Sequence, residues 1–226
     1  MKEMLEAYLQ SALSHRADLR IEGFHRINQG NSNTMVGLTL RWREGCSILS
    51  RKYILKMPPE KSIMEPYNPV REYGLMRALR GTAVSVPDLL LLEEDELILG
   101  RPFLVMEKVE GDTLAFAYHA LSPGKKKRLS AEYAGTLAEI HATDWRRLGP
   151  AGWEVPEDAS QFAAAEVRRC GARLEGIGGI PRKILEDALA QLSANIPRGG
   201  RLALVHGDYN IANVLFRGEK IVAVLD

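Results

Sequence analysis

His206-Gly207-Asp208-Tyr209-Asn210-Ile211-Ala212-Asn213 and the apolar hairpin that follows it, Val214-Leu215-Phe216-Arg217-Gly218-Glu219-Lys220-Ile221-Val222-Ala223-Val224-Leu225-Asp226, decide how this chain folds. Val214 to Phe216 runs outward, Arg217 to Lys220 has turn composition, and Ile221 to Leu225 returns. Pairing across that turn brings Asp226 back beside residues 211 to 213. Leu202-Ala203-Leu204-Val205 on the other side is also wholly apolar, so a strand is expected there as well. Apolar strands on both flanks would hold the polar loop rigidly above a core.

Read singly, Asp208, Asn210 and Asn213 are turn formers and Asp226 is a strand end. Read as a spaced set, they offer oxygen donors that converge on one point. Asn213 and Asp226, thirteen positions apart in sequence, can both approach a hard cation to about 2.1 Å, and Asp208 supplies a carboxylate beside it. Phosphoryl transfer requires such a set: a carboxylate to orient an attacking hydroxyl, and oxygen ligands that hold Mg²⁺ against nucleotide phosphates.

Working towards the N-terminus, Leu5, Tyr8, Leu9 and Leu13 recur at helical spacing and predict a helix over Lys2 to His15. Between Leu19 and Met57, runs of Ile, Val, Leu, Tyr and Thr are broken at Gln29-Gly30-Asn31-Ser32-Asn33 and at Glu44-Gly45, which predicts three antiparallel strands. A proline-rich loop with Pro58, Pro59, Pro66 and Pro69 precedes a helix over Val70 to Leu79 that carries Glu72. Asp88 to Leu99 and Arg101 to Val109, separated by Gly100, read as a hairpin and complete a five-stranded sheet. Beyond Gly111 the composition turns helical. Ser122-Pro123 reads as a cap with a first-turn proline, and Leu129, Tyr133, Leu137 and Ile140 mark one buried face. Helices are expected over Ala159 to Leu174 and Pro181 to Asn195, with a glycine loop at Gly176 to Gly179.

The 226 residues carry 30 basic and 29 acidic side chains, a formal charge of +1, so no general field attracts nucleic acid or an anionic membrane. Lys125-Lys126-Lys127-Arg128 lies early in a helix and reads as a solvated face. The two cysteines, Cys46 and Cys170, lack CxxC spacing, which argues against a disulfide framework or a thiolate zinc site and for a reducing cytoplasm. Neither a secretory leader nor a membrane span is expected, since no apolar run approaches about 20 residues. The competing signatures GxxxxGK[ST], HExxH and GxSxG are absent.

His206-Gly207-Asp208-x4-Asn213 followed by Val224-Leu225-Asp226 resembles the catalytic segment of the aminoglycoside phosphotransferase and choline kinase-like family, relatives of the protein kinases. The resemblance spans roughly Phe24 to Asp226. It implies an α+β, bilobal, protein-kinase-like fold: a nucleotide-binding lobe over residues 1–109, with its leading helix, and a mainly helical catalytic lobe over residues 110–226. It implies Asp208 as catalytic base, Asn213 and Asp226 as Mg²⁺ ligands, and His206 as a brace for the loop. Tyr53-Ile54-Leu55-Lys56 and Arg71-Glu72-Tyr73 then match, in order and position, the strand lysine that holds the nucleotide's phosphates and the helix glutamate that holds the lysine. Taken alone, Lys56 would be a snorkelling strand residue and Glu72 a solvated one. The loop around Ser32 resembles the family's G-x-S-N phosphate loop, though it also reads as a polar hairpin turn. Glu107 and Val109 resemble the hinge positions that bond adenine through backbone groups. His141 resembles a packed helix residue of the family.

The implied activity is ATP- and Mg²⁺-dependent transfer of a phosphoryl group to a hydroxyl acceptor: an antibiotic, amino alcohol, sugar or hydroxy acid. The other class is a kinase-like module that binds nucleotide without catalysis; a full complement of Lys56, Glu72, Asp208, Asn213 and Asp226 argues against it. The mixed composition of Ala159 to Gly200 argues against a polycationic acceptor. Because Asp226 ends the hairpin, the catalytic lobe is expected to be truncated here, with the acceptor pocket in further sequence.

Overall fold

The structure is a computed structural model, and it describes residues 1–27, 33–59, 68–115, 118–148, 155–175 and 181–225. The Ser32 and Asp226 assignments and the Gly176 to Gly179 loop lie outside these residues. In chain order the elements are helix α1 (Lys2–Ala12), strands β1 (Ala17–Ile27), β2 (Thr34–Glu44) and β3 (Ser47–Met57), helix α2 (Pro69–Leu79), strand β4 (Leu89–Glu93), the single-turn helix α3 (Glu96–Leu99) and strand β5 (Phe103–Glu107). Helices α4 (Pro123–Ala142), α5 (Ala159–Glu175) and α6 (Arg182–Ala194) follow, and strands β6 (Val214–Arg217) and β7 (Lys220–Val224) end the chain.

The predicted five-stranded antiparallel sheet forms, in the order β1-β2-β3-β5-β4. Its alternation separates two faces. On one, Val36, Leu38, Leu40, Leu55, Phe103 and Val105 pack with Leu5 and Leu9 of α1, both fully buried. Burying each such leucine stabilises by about 1.5–3 kcal/mol. On the other, Leu104 and Met106 pack against Met76 of α2. The register places Lys56 between Met35 of β2 and Leu104 of β5, so its side chain projects from the α2 face. Both faces are covered at this end of β3, which is why burial stops alternating over Leu55, Lys56 and Met57.

Four expectations need correction. The first helix ends at Ala12 rather than His15: Leu13 turns into the core, and the Arg16 N–H donates to the Leu13 carbonyl at 2.8 Å, tightening the chain towards β1. The Asp88 to Leu99 run is not one long strand. Asp95 accepts the Leu97 N–H at 2.9 Å and Gly100, at φ 82°, caps the far end, so local capping converts Glu96–Leu99 to helix and strips two residues from the start of β5's run. Ser122 occupies the N-cap position of α4 but its hydroxyl makes no cap bond; Pro123 alone marks the start. Leu202 to Val205 adopts no strand. An apolar run specifies burial, as for Leu204, but a strand also requires a ladder.

Two compact units result, Met1–Ala151 with Val205–Asp226, and Gly152–Leu204. In the second, α5 and α6 pack where Gly171 meets Leu189, and the exposed side of α6 carries the i,i+4 pairs Arg182/Glu186 and Lys183/Asp187. In the first, α4 buries Leu129 against Val214 and Phe216 of the β6-β7 hairpin. Arg128 of the basic run, read as solvated, grips Glu219 in the hairpin turn at 2.6 and 2.7 Å. Glu132 accepts from Lys220 at 2.9 Å and from the Ile221 N–H at 3.2 Å. Among the described residues no helix is long and apolar enough to cross a membrane.

Candidate active site

The site begins with the β6-β7 hairpin, which turns at Arg217 to Lys220 as read from the sequence, although an irregularity between Leu215 and Phe216 shifts the register by one residue and sets Val214 opposite Val224. One step further, the Leu225 N–H donates to the Asn213 carbonyl at 2.8 Å, so the end of the return strand lies beside Asn213. His206 grips the same residue from its other side, with Nε2 2.8 Å from the Leu225 carbonyl. Nδ1 of His206 accepts the Asp208 N–H at 3.4 Å; an acceptor at Nδ1 places the proton on Nε2, which then donates to Leu225. His206 thus spans the loop start and the strand end, the bracing role the resemblance implied.

Asp208 is exposed, and its carboxylate is held by two amides. Asn210 Nδ2 donates to Oδ1 at 2.8 Å and Asn213 Nδ2 to Oδ2 at 3.1 Å. Asn210 is fixed in turn because its Oδ1 accepts the Ala212 N–H at 2.8 Å. Asn213 Nδ2 also donates to the Asp208 carbonyl at 3.1 Å, and these donations orient its amide so that Oδ1 accepts no hydrogen bond among the described residues. A free amide oxygen beside a carboxylate is a donor set suited to a hard cation such as Mg²⁺. Asp208 and Asn213 are therefore brought together as predicted.

Sequence reading missed what anchors this loop. Tyr209 stacks on Tyr133 of α4, ring centroids 4.3 Å apart, and the hydroxyls are exchanged: Tyr133 Oη donates to the Tyr209 carbonyl at 2.6 Å and Tyr209 Oη to the Tyr133 carbonyl at 2.9 Å. Burial, followed by the neighbouring Tyr133, pushes the Tyr209 phenol up to about 12; burial and then the Asp208 charge raise Tyr133. Both phenols stay neutral donors at ordinary pH. Tyr133 had been legible only as part of an apolar stripe, and nothing in the stripe indicates a hydroxyl partner 76 residues away.

Lys56 and Glu72 also meet. Lys56 Nζ donates to Glu72 Oε1 at 3.1 Å and stands 3.0 Å from Oε2, with the side chains 2 % and 9 % exposed. Glu72 is delivered by the first turn of α2, which starts where Asn68 accepts the Arg71 N–H at 3.1 Å and Pro69 sets the first helical φ. Glu107, the last residue of β5, spends its N–H on the Asp88 carbonyl at 2.7 Å, and Lys108 donates to the Lys52 carbonyl at 3.0 Å. Glu107 and Val109 line a cleft of about 500 Å³ with Val86 and Val222. The segment after them is stitched to the catalytic hairpin: Asp112 and Phe216 exchange both backbone bonds at 2.9 Å, and Arg217 Nη2 donates to the Glu110 carbonyl at 2.7 Å. Val224 N–H donates to the Ser85 carbonyl at 2.8 Å, linking the hairpin to the turn before β4.

The chain is 27% identical over 238 residues to acyl-CoA dehydrogenase family member 10 of Mus musculus, a match covering 100% of this chain and 20% of that protein. Among solved structures, a Ralstonia eutropha protein assigned to the aminoglycoside phosphotransferases superposes with a TM-score of 0.69 at 25% identity, over 100% of this chain and 64% of its own. The ADP-bound aminoglycoside phosphotransferase APH(2'')-Ib superposes at 0.62 with 17% identity, over 99% and 69%. The chain thus spans about a fifth of the first relative and about two thirds of the structural ones. The model of the phosphotransferase enzyme family matches residues 23–226, and the chain belongs to that family.

Proposed function

We propose that this chain is the nucleotide-binding and catalytic part of an ATP- and Mg²⁺-dependent O-phosphotransferase, with residues 1–109 as the nucleotide lobe and residues 110–226 as the catalytic lobe. The observation that carries the reading is the Asp208 carboxylate, held by Asn210 and Asn213 and kept beside the return strand through Leu225. The buried Lys56 and Glu72 pair supplies the second element such chemistry requires.

In this reading Asp208 accepts the proton of an acceptor hydroxyl as its oxygen bonds to the γ-phosphorus of ATP; the bond from that phosphorus to the bridging oxygen breaks, and ADP leaves. Lys56 offsets phosphate charge, and Glu72 keeps the ammonium in place. Asn213 Oδ1 and Asp226 would hold Mg²⁺, which when bound neutralises charge on the phosphate oxygens. Ser32 would contact phosphate, and the Glu107 and Val109 backbone would recognise adenine. The acceptor is a small hydroxyl compound of the antibiotic, amino alcohol, sugar or hydroxy acid classes; the ADP carried by one structural relative is consistent with the donor.

The test is ADP release by the full natural chain across a library of hydroxyl compounds, with Asp208→Ala as control. Turnover lost in Asp208→Ala with MgATP affinity retained is the expected result. MgATP binding without ADP release from any compound would favour a non-catalytic nucleotide-binding module.

A further inference from the structure

One row of cross-strand neighbours on the sheet runs from His25 in β1 through Gly37 in β2 and Ile54 in β3 to Met106 in β5. The next row on the same face, two residues along each strand, is Ile27, Met35, Lys56 and Leu104. Two residues of strand amount to about 7 Å. His25 therefore projects from the face that carries Lys56, while its neighbour Phe24 packs into the opposite, α1-covered core.

Gly37 is what lets the imidazole lie there. A Cβ built on Gly37 would overlap Cε1 and Nε2 of His25 and stand 3.1 Å from Nδ1, so the ring rests over the bare glycine backbone. Any other residue at position 37 would evict it. His25 nevertheless remains exposed, an aromatic ring backed by a sheet on one side and open on the other. Met106, at the far end of its row, immediately precedes Glu107.

We infer that the His25 imidazole is a stacking surface for the base of a bound nucleoside di- or triphosphate, with Gly37 as its seat. The inference rests on the nucleotide reading above. A nucleotide with phosphates at Lys56 and its base edge at Glu107 and Val109 crosses this row at Ile54, one strand from Gly37 and the imidazole seated on it. Ile54 and Gly37 offer that base only aliphatic and backbone contact, so His25 is the aromatic group of the row. It would add affinity through the π-face, which any base presents, rather than through a hydrogen bond specific to one base.

Dissociation constants for MgATP and for inorganic tripolyphosphate, which has no base, test this in the full natural chain and in His25→Ala, His25→Phe and Gly37→Ala. His25→Ala is expected to weaken MgATP about tenfold, Gly37→Ala to do the same by displacing the ring, and His25→Phe to restore binding. Tripolyphosphate should bind all four proteins equally. MgATP affinity indifferent to His25→Ala, or an equal loss for tripolyphosphate, would overturn the stacking role. Failure of the unaltered protein to bind MgATP would overturn the nucleotide reading and this inference with it, whereas binding that ignores His25 overturns this one alone.

Discussion

Replacing Lys56 by methionine keeps an unbranched side chain of similar length in β3 and removes its charge. What remains is the Glu72 carboxylate, 9 % exposed and deprived of the ammonium that stood 3.0 Å from Oε2. An uncompensated carboxylate at this depth costs about 3–5 kcal/mol, whereas loss of a solvent-exposed pair costs at most about 1 kcal/mol. The 2 % exposure of Lys56 decides between these two figures. Replacing both residues, Lys56→Met with Glu72→Gln, removes the stranded charge and should recover most of the loss, since a neutral pair of similar volume substitutes for a buried ion pair at little net cost. The measurement is a double-mutant cycle from urea midpoints at constant m-value. A loss below about 1 kcal/mol for Lys56→Met, or a double variant no better than the worse single one, would refute the reasoning. MgATP affinity should stay low in the recovered double variant, which separates the stabilising role of the pair from its phosphate-binding role.

Tyr209, pushed up to about 12 by burial, binds its proton more tightly folded than unfolded, so its contribution is intact below about pH 10 and is lost as pH rises towards 12. Tyr209→Phe should flatten that part of an alkaline unfolding titration monitored by circular dichroism; an unchanged alkaline limb would count against it. Gly207 sits at φ 84° with no atom of the described residues beyond its chain neighbours within 4 Å of a built Cβ, so Gly207→Ala should cost only the left-handed backbone penalty, about 1–2 kcal/mol, with Gly207→Asn costing less in the same denaturation assay. Leu9→Ala in α1 empties a fully buried site and should cost about 2–5 kcal/mol, measurable as a lower thermal midpoint.

The elements whose specification is local were legible. Alternating apolar runs and the two glycine-bearing breaks yielded β1 to β3 and their antiparallel order, and the turn at Arg217 to Lys220 yielded the hairpin, but not the irregularity between Leu215 and Phe216 that sets Leu225 beside Asn213. The helix carrying Glu72 was legible over Val70 to Leu79, and Pro69, which composition alone assigns to the preceding loop, is its first residue. Glu96 to Leu99 was misread because strand and helix compete on equal terms in a short leucine-rich run, and the capping bond from Leu97 to Asp95 is invisible to periodicity. Leu202 to Val205 failed for the complementary reason: its composition suits a strand, and a strand exists only with a partner. In the candidate site, Asp208, Asn213, Lys56 and Glu72 stood out because the proposed phosphoryl transfer would constrain their type. Those that hold them did not: Tyr133 could have been any large apolar residue at its helical position, and Asn210 passed for a turn former.

Asp208 shows how the two kinds of constraint divide the work. Its side chain is aimed locally, by Asn210 two residues on and Asn213 five residues on, bonds the octapeptide could form by itself. Its place relative to the return strand is set by distant partners: Leu225 to Asn213, His206 to Leu225, and the exchanged hydroxyls of Tyr133 and Tyr209. The proposed function needs both, because either set alone leaves the distance between the Asp208 carboxylate and the return strand free. Removing one brace leaves the others in position, so single substitutions at His206 or Tyr133 should displace the carboxylate and slow turnover without abolishing it. Removing Asp208 deletes the group that all of these bonds position.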